Sequence, residues 1–404
     1  MLRRVSGGLV TALLGCGVYW VARLAYADRL SNQRTRPAIE HAIRLAPLNS
    51  AYYVRFAEID PAAALSAMRM AALLNPRNSS IWIELGHVAE TNHDFQKAEN
   101  SLLTAVRLDK TFAPRWQLAE YYYRRRDVER FWPAVRMALS TSYDDVSPLF
   151  RLCWDLAPDP SLVLRQTLPP RDDVLRQYLD FALERGRLDI AEPVAAELME
   201  RVSLEDVPAL LRCCDRFLEK HQTAHALGLW NLLAAKRLLR DPGLQPAEGH
   251  SVTNGRFASP LLSHGFDWRL PELEGIWTVR AGSPATLRFS FSGQQPESCE
   301  ILSQIMPVMP ERHYRLIVRY ETDGMPLQPG LSWRILDGIG GTDLLNGTGT
   351  LPASDLGEQE QQYRFDTATG AQTVRLALSY ARITGESQTS GSLYLRYVKL
   401  SFAK

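Results

Sequence analysis

Few side chains in this 404-residue sequence are spaced for catalysis. His221 and His225 lie four residues apart, a spacing that on a helix sets two imidazoles one turn from each other and suits a metal. The glutamate of an H-E-x-x-H motif is missing between them, and no third ligand is evident, so no metal is expected there. Asp337, Asp343 and Asn346 stand in a Gly-rich loop and are oxygen donors of the kind calcium takes, although a plain turn uses the same residue types. Gly338-Ile-Gly-Gly does not complete G-x-G-x-x-G, and no G-x-S-x-G occurs. Asp and Glu are scattered through the last 160 or so residues, and no glycosidase pair can be assembled from them. The expectation is a non-enzymatic chain with no required cofactor, a structural calcium being the one ion left open.

Five cysteines are spread along the chain, with no C-x-x-C and no zinc spacing. Cys213 and Cys214 are neighbours on a predicted helix, about 100° apart around it, and cannot bridge each other there. Buried thiols are expected, and a bridge from Cys153 to Cys213 or Cys214 stays open in an oxidising compartment. The 46 basic residues balance 45 acidic ones, which gives no electrostatic reason for a nucleic-acid partner.

The remaining polar chemistry is recognition. Arg124-Arg125-Arg126 follows Tyr121-Tyr122-Tyr123, a basic and aromatic cluster that could hold an acidic or C-terminal carboxylate. The bland reading is a solvated helix end beside packed tyrosines. Trp268, Trp277 and Trp333 are indoles on which the CH face of a sugar would stack, against the reading that they are core residues.

The elements that must position these residues change grammar along the chain. Residues 28–243 read as successive helices, with apolar residues at three- and four-residue spacing and prolines at the breaks. Trp82, Leu85 and Gly86, then Ala98, Leu102 and Ala105, precede Trp116, which lies 34 residues after Trp82. That pattern resembles tetratricopeptide repeats, two-helix hairpins stacked into a solenoid. The resemblance is strong from Pro76 to Ala138 and weaker in five or six hairpins overall. It implies a protein-binding groove lined by Ile83, His87 and Glu90, then Gln117, Tyr121, Arg124 and Arg125. Gly86 and Ala98 would be small because the helices of a hairpin cross closely there.

Residues 244–404 switch to period-two alternation, as in Leu287–Ser292, Tyr314–Tyr320, Leu331–Leu336, Val374–Tyr380 and Leu393–Leu400. About eight such strands suit a two-sheet sandwich. Val252-Thr-Asn-Gly-Arg-Phe, Gly265-Phe-Asp-Trp-Arg and Pro310-Glu-Arg-His-Tyr resemble the carbohydrate-binding jelly rolls related to galactose-binding-like domains. That resemblance implies glycan binding.

Residues 1–27 form the third region. Val5 to Ala22 carries no charge between Arg3-Arg4 and Arg23, and eighteen residues give about 27 Å of helix, enough to cross a hydrocarbon core. A retained signal anchor, cleavage after Ala27 and a lipobox ending at Cys16 all place the rest across a membrane; a cytoplasmic domain, with Arg23, Arg29, Arg34 and Arg36 also flanking the helix, is the disfavoured alternative. The fold class expected is thus multidomain: membrane helix, tetratricopeptide-like solenoid, then an all-β jelly roll. The combination resembles envelope proteins that accompany bacterial exopolysaccharide and exosortase-type systems. It implies a single-pass inner-membrane protein with a periplasmic bulk, whose partners are envelope or export proteins and possibly polysaccharide. A polysaccharide-modifying enzyme and a purely structural assembly factor are the alternatives.

Overall fold

The computed structural model describes residues 2–403 except 158, 283, 339, 340 and 354–356, and only the backbone of 2–12. By internal packing the chain divides into Met1–Gln177 and Tyr178–Lys404.

The first unit is helical. It contains α1 (Leu2–Ser31), α2 (Arg36–Leu45), α3 (Ser50–Ile59), α4 (Ala64–Leu74), α5 (Ser79–Thr91), α6 (Phe95–Leu108), α7 (Phe112–Arg124), α8 (Val128–Leu139), α9 (Ser147–Leu156) and α10 (Ser161–Gln166). Consecutive helices pair as hairpins, α1 with α2 through α7 with α8, and each hairpin packs on the next. The end of α1 belongs to the first hairpin: Ala27 and Leu30 are buried with Ala38, Ala42 and Tyr52. The first helix of this hairpin is thus the last part of α1, beyond the uncharged run that ends at Ala22. Among the described residues no helix is long and apolar enough to cross a membrane. Residues 5–12 of the expected span lie outside the described side chains.

The repeats share a turn whose geometry outlasts its sequence. His93, Arg126, Gly186 and His221 all have left-handed backbone, at φ 59, 54, 67 and 58°. Each is followed by a residue whose N–H reaches back to the preceding helix: Asp94 to Ala89, Asp127 to Tyr122, Arg187 to Ala182 and Gln222 to Phe217, at 2.8–3.0 Å. This closes the helix end and reverses the chain. Only Gly186 among the four takes the conformation without steric cost. Asp94 and Asp127 then cap the next helix by accepting from the N–H of Lys97 and Arg130.

The second unit begins within α11 (Asp172–Glu184), continues with α12 (Leu188–Glu200), α13 (Val207–Glu219) and α14 (Thr223–Ala235), and then becomes β. Its strands are β1 (Ile276–Ala281), β2 (Thr286–Ser292), β3 (Ser298–Pro307), β4 (His313–Asp323), β5 (Leu331–Asp337), β6 (Gln359–Asp366), β7 (Thr373–Ala381) and β8 (Ser390–Phe402). They form two antiparallel sheets, β1-β2-β8-β4-β6 and β3-β7-β5, and from β3 on every strand lies in the other sheet from its predecessor. This is a sandwich of jelly-roll type, its core built from the inward set of the alternation: Phe289, Tyr314, Tyr320, Trp333, Tyr380 and Leu395 among others.

The five cysteines are free, and Cys153, Cys213 and Cys214 are buried. Burial pushes the Cys213 thiol up to about 12, which makes it inert near neutral pH.

Packing at Gly86 gives the first prediction. A Cβ there would sit 2.8 Å from Leu102 Cγ and 3.4 Å from the Ala98 carbonyl oxygen. Gly86→Leu should lower unfolding free energy by about 1–3 kcal/mol in urea denaturation of the first unit's helical signal.

Candidate functional site

In the first unit ion pairs join segments about one repeat apart, one of them at the period itself. Glu90 and Arg124 are 34 residues apart and occupy matching positions of successive hairpins. Arg124 donates to both carboxylate oxygens, at 2.9 and 2.8 Å. Glu99 likewise accepts from Tyr122 at 2.9 Å and Arg130 at 2.6 Å. Asp155 takes Tyr123 at 2.7 Å and Arg126 at 2.9 Å, and both hold its carboxyl below its ordinary range.

The expected groove is altered by these pairs. Ile83, His87, Glu90 and Gln117 are half-buried on α5 and α7. Tyr121 is buried, and its hydroxyl donates to the Phe95 carbonyl at 2.9 Å, so it packs the hairpin instead of lining a groove. Arg124 and Arg126 are neutralised within the chain. Arg125 lies over the Phe95 ring, 3.7 Å from its centroid, and among the described residues has no ion pair. The cluster is therefore not an open positive patch.

The metal candidates do not assemble either. His221 sits in the left-handed turn before α14, so it and His225 are not on successive helical turns. His225 stacks on Phe217 and lies 3.4 Å from Glu192. Asp343 is engaged by Arg334 and by the Leu345 N–H, while Asn346 donates to Asp366. Ile339 and Gly340 of the Gly-rich stretch lie outside the described residues. Among the described residues no group of three His, Cys, Asp or Glu converges as a metal site.

The two phrases that resemble carbohydrate-binding domains are structural. Gly255 approaches β8 so closely that a Cβ would lie 2.3 Å from the Val398 carbonyl oxygen. Asn254 closes its own loop by bonding both backbone groups of Ser259, and Phe257 packs on Trp268 inside the sandwich. In the second phrase Gly265 has φ 57° and lies against Trp230 of α14, where a Cβ would come within 2.6 Å of the indole. Phe266 meets the same indole edge-on. Asp215 of α13 binds this loop: it accepts from the Gly265 N–H at 2.7 Å and from Arg269 at 2.9 Å, and pairs with His264 at 2.5 Å.

Arg269 then exchanges both backbone bonds with Ser303 of β3, and the Gln304 amide donates to Thr253. Segment 251–269 is thereby laid along the edge strand β3, where Ile301 to Val308 are all buried. The outer face of the five-stranded sheet is left to solvent.

Trp268 and Trp333 are 0% and 1% exposed and offer no face to a sugar, because Trp268 fills the core and Trp333 is on the inward phase of β5 with Leu331 and Ile335. Trp277 on edge strand β1 is 63% exposed. It sits in register with Ser290 of β2, which is in register with Ser392 of β8. Beside this row stand Tyr394, with the Arg288 guanidinium 5.4 Å from its ring centroid, and then, after a register shift opposite Arg319 and Tyr320, Arg396 and Tyr397. Arg319 covers the Tyr397 ring at 4.9 Å and bonds Glu360 at 3.0 Å; Tyr397 donates to Glu360 at 3.1 Å. Arg396 bonds Glu321 at 2.7 Å. The sheet face thus presents three aromatics among arginines and glutamates. Tyr394 and Tyr397 were readable beforehand: buried Leu393, Leu395, Val398 and Leu400 fix the inward phase and its one-residue slip.

No family model matches the chain, and no curated protein matches it. Among solved structures it is similar to a CBM4 structure (15% identity, 38% of this chain and 100% of that one, TM-score 0.29). It is also similar to a tetratricopeptide repeat protein from Parabacteroides merdae (12% identity, 55% and 97%, TM-score 0.30) and to YrrB, a TPR protein with an unusual peptide-binding site (14% identity, 51% and 95%, TM-score 0.25). Likeness at this level decides nothing about ligands.

Two predictions follow from the loop bound by Asp215. Asp215→Ala strands the Gly265 N–H and the Arg269 guanidinium, and should cost about 2 kcal/mol or more in denaturant unfolding of the full chain. Asp267 is 3% exposed, with one oxygen bound by the Leu262 N–H and the other without a partner. Burial pushes its carboxyl up from 3.8 to about 6. The folded state then binds more protons than the unfolded one between those values, so this contribution is full below pH 3.8 and is lost as pH rises through 6. Relative to Asp267→Asn, wild type should lose about 2–3 kcal/mol across that window in denaturation series from pH 4 to 7.

Proposed function

We propose that the chain is a non-enzymatic binding scaffold, with helical repeats that dock protein and a β sandwich whose exposed five-stranded face binds glycan. One observation carries this reading: Trp277, Tyr394 and Tyr397 share the outer face of the five-stranded sheet with polar and charged side chains. Indole and phenol rings take the apolar face of a sugar, while guanidinium and carboxylate groups beside them bond its hydroxyls. The helical unit suits docking because its hairpins, braced by ion pairs between repeats, hold a surface of fixed spacing.

The proposal extends to place. The first segment is an anchor in a bacterial inner membrane, with the bulk of the chain periplasmic, in a polysaccharide export or assembly system. Supporting it are the uncharged run from Val5 to Ala22 and the exposure of apolar side chains along α1, among them Leu13, Leu14, Val18 and Val21 at 64–69%.

Affinity electrophoresis of the full chain through gels holding soluble polysaccharides tests the glycan reading. Retardation by at least one glycan is expected, with Trp277→Ala and Tyr394→Ala each weakening it about tenfold. Trp333→Ala should instead destabilise the fold, by about 3–5 kcal/mol. Free migration through every glycan of a broad panel would sink the reading.

A further inference from the structure

The lower half of the same sheet face carries charge that the fold does not use. In β4 the inward residues are Tyr314, Leu316 and Val318, so Arg315, Ile317 and Arg319 point outward. In β6 Tyr363 and Phe365 are inward, so Gln362 and Arg364 point outward. Register sets Arg315 directly opposite Arg364, and Ile317 between Gln362 and Lys399 of β8. Two arginines facing each other across an antiparallel pair repel, and Lys399 stands diagonally one step away. Arg315, Arg364 and Lys399 have no ion pair among the described residues. The nearest carboxylate on this face of β6, Asp366, is engaged by His313 at 2.6 Å and by Asn346. Arg315 Nε is shut off from solvent and has no hydrogen-bond partner.

This strip opens on a groove of about 1030 Å³ between β8 and the segment 241–256. Arg319, Tyr397 and Lys399 line it from the sheet, and Asp241, Glu248 and Arg256 line it from the segment 241–256. Arg256 also has no ion pair among the described residues. Four unpaired cations therefore adjoin the aromatic part of the face.

We propose that this strip binds the carboxylates of an anionic, uronate-bearing polysaccharide whose sugar rings lie on Tyr397, Tyr394 and Trp277. The proposal rests on the glycan reading above and names the chemistry of its ligand. Guanidinium groups pair with planar carboxylates in bidentate fashion, and Arg315 and Arg364 in register present two such forks side by side. Glu321, Glu358 and Glu360 stand on or beside the same face, bound to Arg396 and Arg319. A nucleic-acid backbone, with a charge at every nucleotide, would run over these glutamates. A glycan with carboxylates at intervals meets the cations in one stretch and the neutral aromatics in the next.

The test uses the full chain with three probes: polygalacturonate, its methyl-esterified form, and single-stranded DNA. Wild type should bind polygalacturonate, weaken as salt rises, and bind the ester at least tenfold less tightly. Arg315→Gln with Arg364→Gln should lose at least tenfold on polygalacturonate and flatten the salt dependence by about one unit of slope per cation removed. The same double variant should melt no lower than wild type, since it removes a repulsion, and Arg364→Lys should retain part of the binding. Equal binding of ester and acid, unaffected by the double variant, would overturn the anionic strip and leave the glycan reading standing. No binding to polygalacturonate would overturn the anionic strip, the glycan reading falling only with the broad panel above, and tighter binding to DNA than to polygalacturonate would overturn the ligand class.

Discussion

The close seating of Trp230 on Gly265 is the contact on which the second unit depends. The loop must pass an indole with no Cβ in between and with left-handed backbone, which leaves glycine as the residue that satisfies both demands. Asp215 then fixes the loop from below through three donors. From this joint the chain runs straight to Trp268 in the sandwich core and to Arg269 on the edge of β3. The loop thereby caps that edge of the three-stranded sheet. The last helices and the β sandwich thus belong to one packing unit, joined through Trp230 and Asp215.

Much of this was legible from the residue pattern, and the misses have physical causes. Period-two alternation located the long strands, and the 34-residue spacing of Trp82 and Trp116 located the clear hairpins. Alternation states that two faces differ without naming the wet one, yet its phase was enough for Trp333, which shares parity with Leu331 and Ile335. Trp268 lies in a loop, where no period applies. The arginine cluster after Tyr123 looked open because its partners, Glu90 and Asp155, sit about one repeat away on either side. Only stacking brings them together, and stacking is invisible within a window of one helix. The left-handed turns were missed at His93, Arg126 and His221 for a related reason. Backbone bonds to the preceding helix impose the conformation there, and residue type does not advertise it.

The stretches that resemble known domains most clearly, Asn254-Gly-Arg-Phe and Gly265-Phe-Asp-Trp-Arg, turn out to be those most fully consumed by packing. Gly255, Phe257, Gly265, Phe266 and Trp268 all have close contacts within the fold. Such phrases report an architecture, since many ligands can be served by one joint. The residues that bear on ligand chemistry are the reverse: they break local rules without gain to the fold. An indole stands 63% exposed on an edge strand, and two arginines face each other in register with no acid between them. A folded chain tolerates such positions where something outside it completes them. Arg319 and Arg396, on the same face, have glutamates and show that the sheet can satisfy its cations internally where sequence provides for it. One face thus carries satisfied cations beside Tyr397, where Glu321 and Glu360 hold Arg396 and Arg319, and cations without an ion pair among the described residues a strand step below, at Arg315, Arg364 and Lys399.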